Sequence, residues 1–206
     1  MKKKSSKKKI LIIIIILIIV GILGVLTLKK LFPKDKEQEV KVIKEIKGYG
    51  YKLNENETNI YKDEFYKLEE ILTNNEINYE EYAMQVAKLF IIDFYTLDNK
   101  LSKNDIGGTE FIKESMRDNF IEEARSTFYK YLEVKSDKRT QKLPIVSEIL
   151  DTSIENATFK YNDKTVDENA YRVTISWNYK EDLGYETEAK MILVNENNKL
   201  YIIEMN

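Results

Sequence analysis

Asp93 is the residue whose position in this chain most suggests chemistry. It interrupts an apolar run that extends from Leu89 to Tyr95, and it lies near a helical stripe of Ala83, Val86, Phe90 and Leu97. Burial among apolar side chains disfavours a charged carboxylate, so the pKa of Asp93 would rise and the group could exchange protons with a bound molecule. The plainer interpretation is that Asp93 pairs with a lysine or arginine, or faces water at the helix edge.

The polar loop after this run offers a second candidate site. The oxygen atoms that could bind calcium belong to Asp98, Asn99, Ser102, Asn104 and Asp105. However, Lys100 and Lys103 fall among these ligands, and no glutamate occupies the twelfth position from Asp98, so the EF-hand pattern fails. We therefore predict no metal site in this loop.

Composition excludes several other kinds of active site. The 206 residues include no cysteine and no histidine, which excludes disulfides, thiol nucleophiles, Cys/His zinc sites and histidine-based triads. The Ser-x-x-Lys spacing of histidine-free hydrolases occurs only where Ser5 precedes Lys8 and Ser6 precedes Lys9, in the basic N-terminus. We predict no catalytic residues, no cofactor and no enzymatic activity.

The N-terminus has the pattern of a membrane anchor. Six lysines precede the nineteen uncharged residues from Ile10 to Leu28, and only Lys29 and Lys30 follow closely. As a helix this run is roughly 28 Å long, close to the hydrocarbon thickness of a bilayer. It is longer than the apolar region of a signal peptide, and no A-x-A-like cleavage site follows it. We predict a single-pass cell-membrane protein with residues 1–9 cytoplasmic, a transmembrane helix at 10–28, and the C-terminal domain outside.

The rest of the chain is acidic and has the length of one domain. Eight of the 33 basic residues lie in the first 30 positions, whereas all 35 acidic residues follow. Nucleic acid is therefore excluded as an expected partner, because phosphate binding needs a basic face. We predict a juxtamembrane linker at 29–57 and one extracytoplasmic domain at 58–206. Within the linker, the apolar residues around Val42 and Ile46 allow a short strand or a helical stalk.

Two helices are indicated at the start of this domain. Apolar residues recur at helical spacing from Thr58 until Asn74. Asn78 and Glu81 then form a capping box at the start of a second helix, which runs to about Leu97. The later half of the second helix is apolar nearly all round, so it should be the central helix of the core.

A third long helix is predicted after a loop that contains Gly107 and Gly108. Thr109 could cap this helix. Its apolar residues recur at every fourth position, as Ile112, Met116, Phe120, Ala124, Phe128 and Leu132.

Beyond Pro144 the apolar period changes from helical to two. The clearest strand alternates polar residues with Tyr171, Val173, Ile175, Trp177 and Tyr179. Further strands are predicted within Val146–Tyr161, at Tyr185–Val194 after a four-residue turn, and at Leu200–Met205 after the turn Asn195–Asn198. We predict an α+β fold in which three helices pack on one face of a four-stranded antiparallel sheet.

Three strand segments carry a family resemblance. They are A-T-F-K-Y at Ala157–Tyr161, Y-R-V-T-I-S-W-N-Y at Tyr171–Tyr179 and L-Y-I-I-E at Leu200–Glu204. Together with helices that precede strands over residues 58–206, they resemble the cone-shaped, cystatin-like fold of the nuclear transport factor superfamily. With its single N-terminal span, the chain is similar in plan to the bitopic inner-membrane scaffold proteins of type IV secretion and conjugation machines.

This resemblance implies a binding or assembly module rather than an enzyme. The implied partners are other proteins of a membrane complex or further copies of the chain, besides the lipid bilayer around the N-terminal helix. The alternative is a small-ligand binder or a histidine-free cavity enzyme, since enzymes on cone-shaped folds use an aspartate with a tyrosine hydroxyl. In that case Asp93, Tyr95, Tyr171 and Trp177 are the residues expected to line the cavity.

Overall fold

The structure is a computed structural model that describes residues 40–162 and 165–206. The predicted tail at 1–9, the predicted transmembrane helix at 10–28 and the first part of the predicted linker lie outside the described residues. Within the described part, no helix is both long enough and apolar enough to cross a membrane. The chain from Val40 to Asn206 is one compact unit.

The elements follow the order of a hairpin, three helices and four strands. The helices are α1, Asn59–Thr73, α2, Tyr79–Tyr95, and α3, Glu114–Ser126, with a 3₁₀ turn at Thr109–Phe111. The strands are β1, Val42–Ile46, β2, Tyr51–Asn54, β3, Val146–Asn162, β4, Thr165–Tyr179, β5, Glu188–Glu196, and β6, Lys199–Met205. The last four form an antiparallel sheet in the order β3-β4-β5-β6. The α+β prediction of three helices and a four-stranded antiparallel sheet is confirmed.

The β1–β2 hairpin belongs to the hydrophobic core. Tyr51 is fully buried, and its hydroxyl lies 2.7 Å from the Tyr82 hydroxyl of α2. It also donates to the carbonyl of Leu200 in β6 at 3.0 Å, while the Leu200 N–H donates to Tyr82 at 3.2 Å. These bonds join the hairpin to a helix and to the sheet. The compact unit therefore includes residues 40–57, which the sequence analysis places in a linker, and the strand alternative is the one observed.

Helix α2 is the centre of the core. The Asn78 side chain caps it by accepting the N–H groups of Glu80 and Glu81. Helix α1 packs against one side of α2, and strands β3, β4 and β6 contact another. Because α2 is covered on several sides, its second half has no polar face. The predicted positions of α1 and α2 are confirmed, with Thr58 as the cap of α1.

Helix α3 is shorter than the sequence analysis predicts. It begins at Glu114, and Thr109 belongs to the preceding 3₁₀ turn rather than to its cap. At the other end, the hydroxyls of Ser126 and Thr127 both donate to the Glu123 carbonyl, at 3.0 and 2.7 Å. Such local bonds compete with helical hydrogen bonding, and the helix ends there. Phe128 and Leu132, the last two residues of the predicted apolar series, therefore lie in a segment that is not helical.

The sheet follows the predicted alternation with one change at β5. Val173, Ile175 and Trp177 of β4 are fully buried. Strand β5 begins at Glu188 rather than at Tyr185, so the β4–β5 connection is longer than predicted. The predicted turn before β6 is confirmed, because Asn197 and Asn198 of that turn have φ values of 55° and 65°. Asparagine tolerates this left-handed conformation better than other side chains.

Candidate functional site

An apolar groove lies beside α3. It has a volume of about 650 Å³ and is bounded by α3, the end of α2, the β4–β5 connection and β6. Volumes of this order are typical of ligand-binding sites. The residues that give it its apolar character include Phe90, Phe94, Met116, Phe120, Phe128 and Ile202.

Helical spacing brings one face of α3 to the groove. Met116, Asn119, Phe120 and Glu123 recur three and four residues apart, so they share a face of the helix. Aromatic rings of α2, Phe90 and Phe94, line the groove next to this face. The ring centroid of Phe94 lies 5.3 Å from that of Phe120, which holds the two helices in contact.

The charged side chains that line the groove are all carboxylates. Glu123 comes from α3, Glu186 from the β4–β5 connection and Glu204 from β6, and the lining contains no lysine or arginine. Burial and the nearby Glu186 raise the pKa of Tyr95, which also lines the groove, to about 12. Its hydroxyl therefore keeps its proton at neutral pH. The groove combines apolar surface with negative charge.

Of the four residues that the resemblance implicates, Tyr95 is the one that lines this groove. Tyr95 lines the groove and packs against Trp177, with ring centroids 4.9 Å apart. Trp177 is fully buried behind Tyr95 and does not line the groove. Tyr171 lies further along β4, opposite Leu193 of β5, and is half-buried against the core.

Asp93 also lies outside the lining of the groove. Its carboxylate forms an ion pair with the ammonium of Lys100, which is only 3% exposed, and accepts the backbone N–H of Gly108 at 2.6 Å. The ion-pair interpretation from the sequence is therefore the one that the structure shows. Asp93 holds the loop after α2 against the helix.

A second cluster of acidic groups lies near this ion pair. Glu57 is buried and accepts a hydrogen bond from the Asn99 amide at 3.2 Å. Burial raises the pKa of Glu57, the negative charge of Asp93 raises it further, and Lys100 opposes the rise. Glu110 accepts the Tyr61 hydroxyl at 3.3 Å, and burial raises its pKa to about 8. Glu57 thus joins the loop to the segment before α1, and Glu110 joins the 3₁₀ turn to α1 itself.

The raised pKa of Glu110 makes the stability of the fold depend on pH. Its usual pKa is 4.5, so the folded chain keeps a proton that the unfolded chain releases. This contribution is fully present below about pH 4.5 and is lost as the pH rises through about 8. Between those limits we expect the free energy of unfolding of the wild-type chain to fall because of this group.

Glu110→Gln should remove most of that fall, since glutamine does not titrate and still offers an oxygen to Tyr61. The measurement is denaturant unfolding of the full-length chain in detergent across this pH range, followed by the fluorescence of Trp177. Glu114→Gln, at an exposed site on α3, is the control and should keep the wild-type profile. Equal profiles for wild type and Glu110→Gln would contradict the assignment.

The polar loop is held by its own hydrogen bonds. The Asp105 carboxylate accepts the Leu101 N–H at 2.8 Å, and the Ser102 hydroxyl accepts the Asn104 N–H at 3.2 Å. In residues 40–162 and 165–206, no group of three or more acidic residues could hold a metal ion. These bonds hold the loop that carries the buried Lys100.

The groove itself escapes the sequence analysis. Met116 belongs to the apolar series that predicts a core helix, so its side chain should be covered. In the structure it is 38% exposed. The carboxylates come from three separate elements, and no local pattern brings Glu123, Glu186 and Glu204 together. Comparison of the chain with protein-family models, curated proteins and solved structures finds no match.

Proposed function

We propose that the chain is a membrane-anchored extracytoplasmic binding module that assembles with a partner protein through the groove beside α3. The observation that carries this proposal is the groove, which combines a continuous aromatic wall with partly exposed apolar residues such as Met116. Apolar surface of this kind on one side of a domain favours contact with a partner. Three helices on a four-stranded antiparallel sheet are compatible with the cone-shaped family plan, in which scaffold proteins assemble within a secretion or conjugation complex.

The anchoring part of the proposal concerns residues 1–28. The apolar run and its lysines support one span with the N-terminus in the cytoplasm. Protease added to intact spheroplasts should then digest the C-terminal domain. Protection of that domain, while an external control protein is cut, would contradict this topology.

The groove is tested by a pair of substitutions that add the same charge at different places. Met116→Lys puts an ammonium group inside the groove, and Leu150→Lys puts one at an exposed apolar site of β3 outside its lining. We expect the full-length chain to migrate in a crosslinked membrane complex, and Met116→Lys to reduce this complex by about tenfold. Leu150→Lys should leave it unchanged. Equal effects of the two substitutions, or a wild-type chain recovered only as a monomer, would count against the proposal.

A small apolar molecule is the second candidate occupant, because a groove of about 650 Å³ also suits a drug-sized ligand. Native mass spectrometry of the chain extracted in detergent distinguishes the two. A bound mass of a few hundred daltons that Met116→Lys removes would favour the ligand. An enzyme that uses Asp93 with a tyrosine hydroxyl has less support, since Asp93 is paired with Lys100 outside the groove.

A further inference from the structure

The free edge of β6 forms part of the groove. Ile202, Ile203, Glu204 and Met205 all line it. Successive side chains of a strand point to opposite faces of the sheet, so four consecutive residues can line one groove only when it runs along the edge of the strand. Strand β6 is the last strand of the sheet and pairs on its other side with β5.

The edge is paired at one point and open beyond it. Ile112, just before α3, forms an isolated parallel bridge with Ile202. From Ile203 to Met205, none of the described residues pairs with β6 on the side away from β5. An open edge of this kind presents backbone N–H and C=O groups that another strand can pair with.

The negative charge of the groove indicates which side chains such a partner strand would carry. The charged groups that line the groove are Glu123, Glu186 and Glu204, and no basic side chain balances them within the lining. Lysine and arginine in a partner would complement these carboxylates, while the aromatic wall around Phe94 and Phe120 would take apolar side chains. Alternation of the two kinds of side chain is the pattern of an extended strand rather than of a helix.

We infer that the groove takes an extended segment of a partner protein in which basic and apolar residues alternate, and that this segment adds to the sheet along the free edge of β6. The inference rests on the proposed function and specifies its partner. A helix in the same groove would leave the edge of β6 without backbone partners, because its own N–H and C=O groups are used internally.

The test is a selection of random short peptides displayed on phage against the full-length chain in lipid nanodiscs. Enriched peptides should carry net positive charge and apolar residues at every second position. Neutral or acidic enriched peptides, apolar residues at helical spacing, or no enrichment at all would overturn the inference.

Two triple variants of the chain test whether the peptide binds at the carboxylates of the groove. Affinity for the enriched peptide should fall about tenfold when Glu123, Glu186 and Glu204 are all replaced by glutamine, since each exposed charge pair contributes modestly. The matched control replaces three exposed glutamates outside the lining, Glu70, Glu76 and Glu168, and should leave the affinity unchanged. An equal loss in both triple variants would overturn the inference, because it would show a general effect of net charge.

Strand addition also has its own signature. Only alternate N–H groups of an added strand face its neighbour, so N-methylation of one alternate set of peptide amides should abolish binding and methylation of the other set should not. Equal effects of the two sets would overturn strand addition. If neutral apolar peptides are enriched and Met116→Lys still abolishes the membrane complex, this inference fails while the proposed function stands. If basic alternating peptides bind but the wild-type chain forms no membrane complex, the proposed function fails.

Discussion

Asp93→Asn should destabilise the domain by about 3 to 5 kcal/mol, the cost expected when one partner of a buried ion pair is removed. The substitution removes the carboxylate that pairs with the Lys100 ammonium, which is 3% exposed. Asparagine can still accept the Gly108 N–H, so the lost charge rather than the lost hydrogen bond accounts for the effect. Denaturant unfolding of the full-length chain, followed by its single tryptophan, measures it directly.

A double variant shows whether the cost of Asp93→Asn comes from the broken ion pair. Asp93→Asn together with Lys100→Met removes both charges of the pair, and we expect it to be more stable than Asp93→Asn alone, because the buried ammonium that lost its carboxylate is then gone as well. The exposed pair Lys142 and Glu181 supplies the control, since Glu181→Gln should cost well under about 1 kcal/mol. A cost for Asp93→Asn as small as that of Glu181→Gln would contradict the account of a buried pair.

Gly108→Ala should cost about 3 kcal/mol, the second largest effect that we expect. Gly108 has a φ of +73°, and a Cβ there would lie 2.6 Å from Cδ2 of Phe90. The substitution therefore adds a steric clash in the core to the strain of a left-handed alanine. It would also displace the N–H that Asp93 accepts.

Gly48→Ala is the matched control for that prediction. Gly48 lies in the β1–β2 turn at a φ of +87°, with no atom within 4 Å of a Cβ. It shares the backbone strain and lacks the clash, so its cost should be about 1 kcal/mol. Thermal unfolding of both variants gives the comparison, and equal costs would show that Phe90 does not restrict Gly108.

The sequence predicts the parts of the fold that depend on local pattern. Asn78 caps α2 through bonds to residues two and three positions away, and the alternation in β4 lies within one strand. Each of these elements is therefore predictable from its own segment. The predicted end of α3 is wrong, because the apolar series continues past Ser126 and Thr127, whereas the hydroxyls of these two residues bond to the Glu123 carbonyl where the helix ends. The sequence does not show that the β1–β2 hairpin belongs to the core, because this depends on a bond from Tyr51 to Leu200, which is far along the chain.

The candidate site is less predictable for the same reason. The apolar surroundings of Asp93 indicate a buried carboxylate, and pairing with a lysine or arginine is one of the alternatives that the sequence leaves open. Nothing local shows that Lys100 is the partner, since that depends on how the loop turns back over α2. The groove depends on α3, α2, β6 and the β4–β5 connection together, and its position follows only from their packing.

Site-specific photocrosslinking along α3 tests most directly whether a partner occupies the groove. A photoreactive phenylalanine derivative would replace, one at a time, Met116, Asn119 and Glu123, which line the groove, and Asp118 and Glu122, which are exposed outside the lining. In membranes that contain the full-length chain, we predict crosslinks to a partner protein from the first three positions and none from the other two. Crosslinks of equal yield at all five positions, or only at Asp118 and Glu122, would contradict the account.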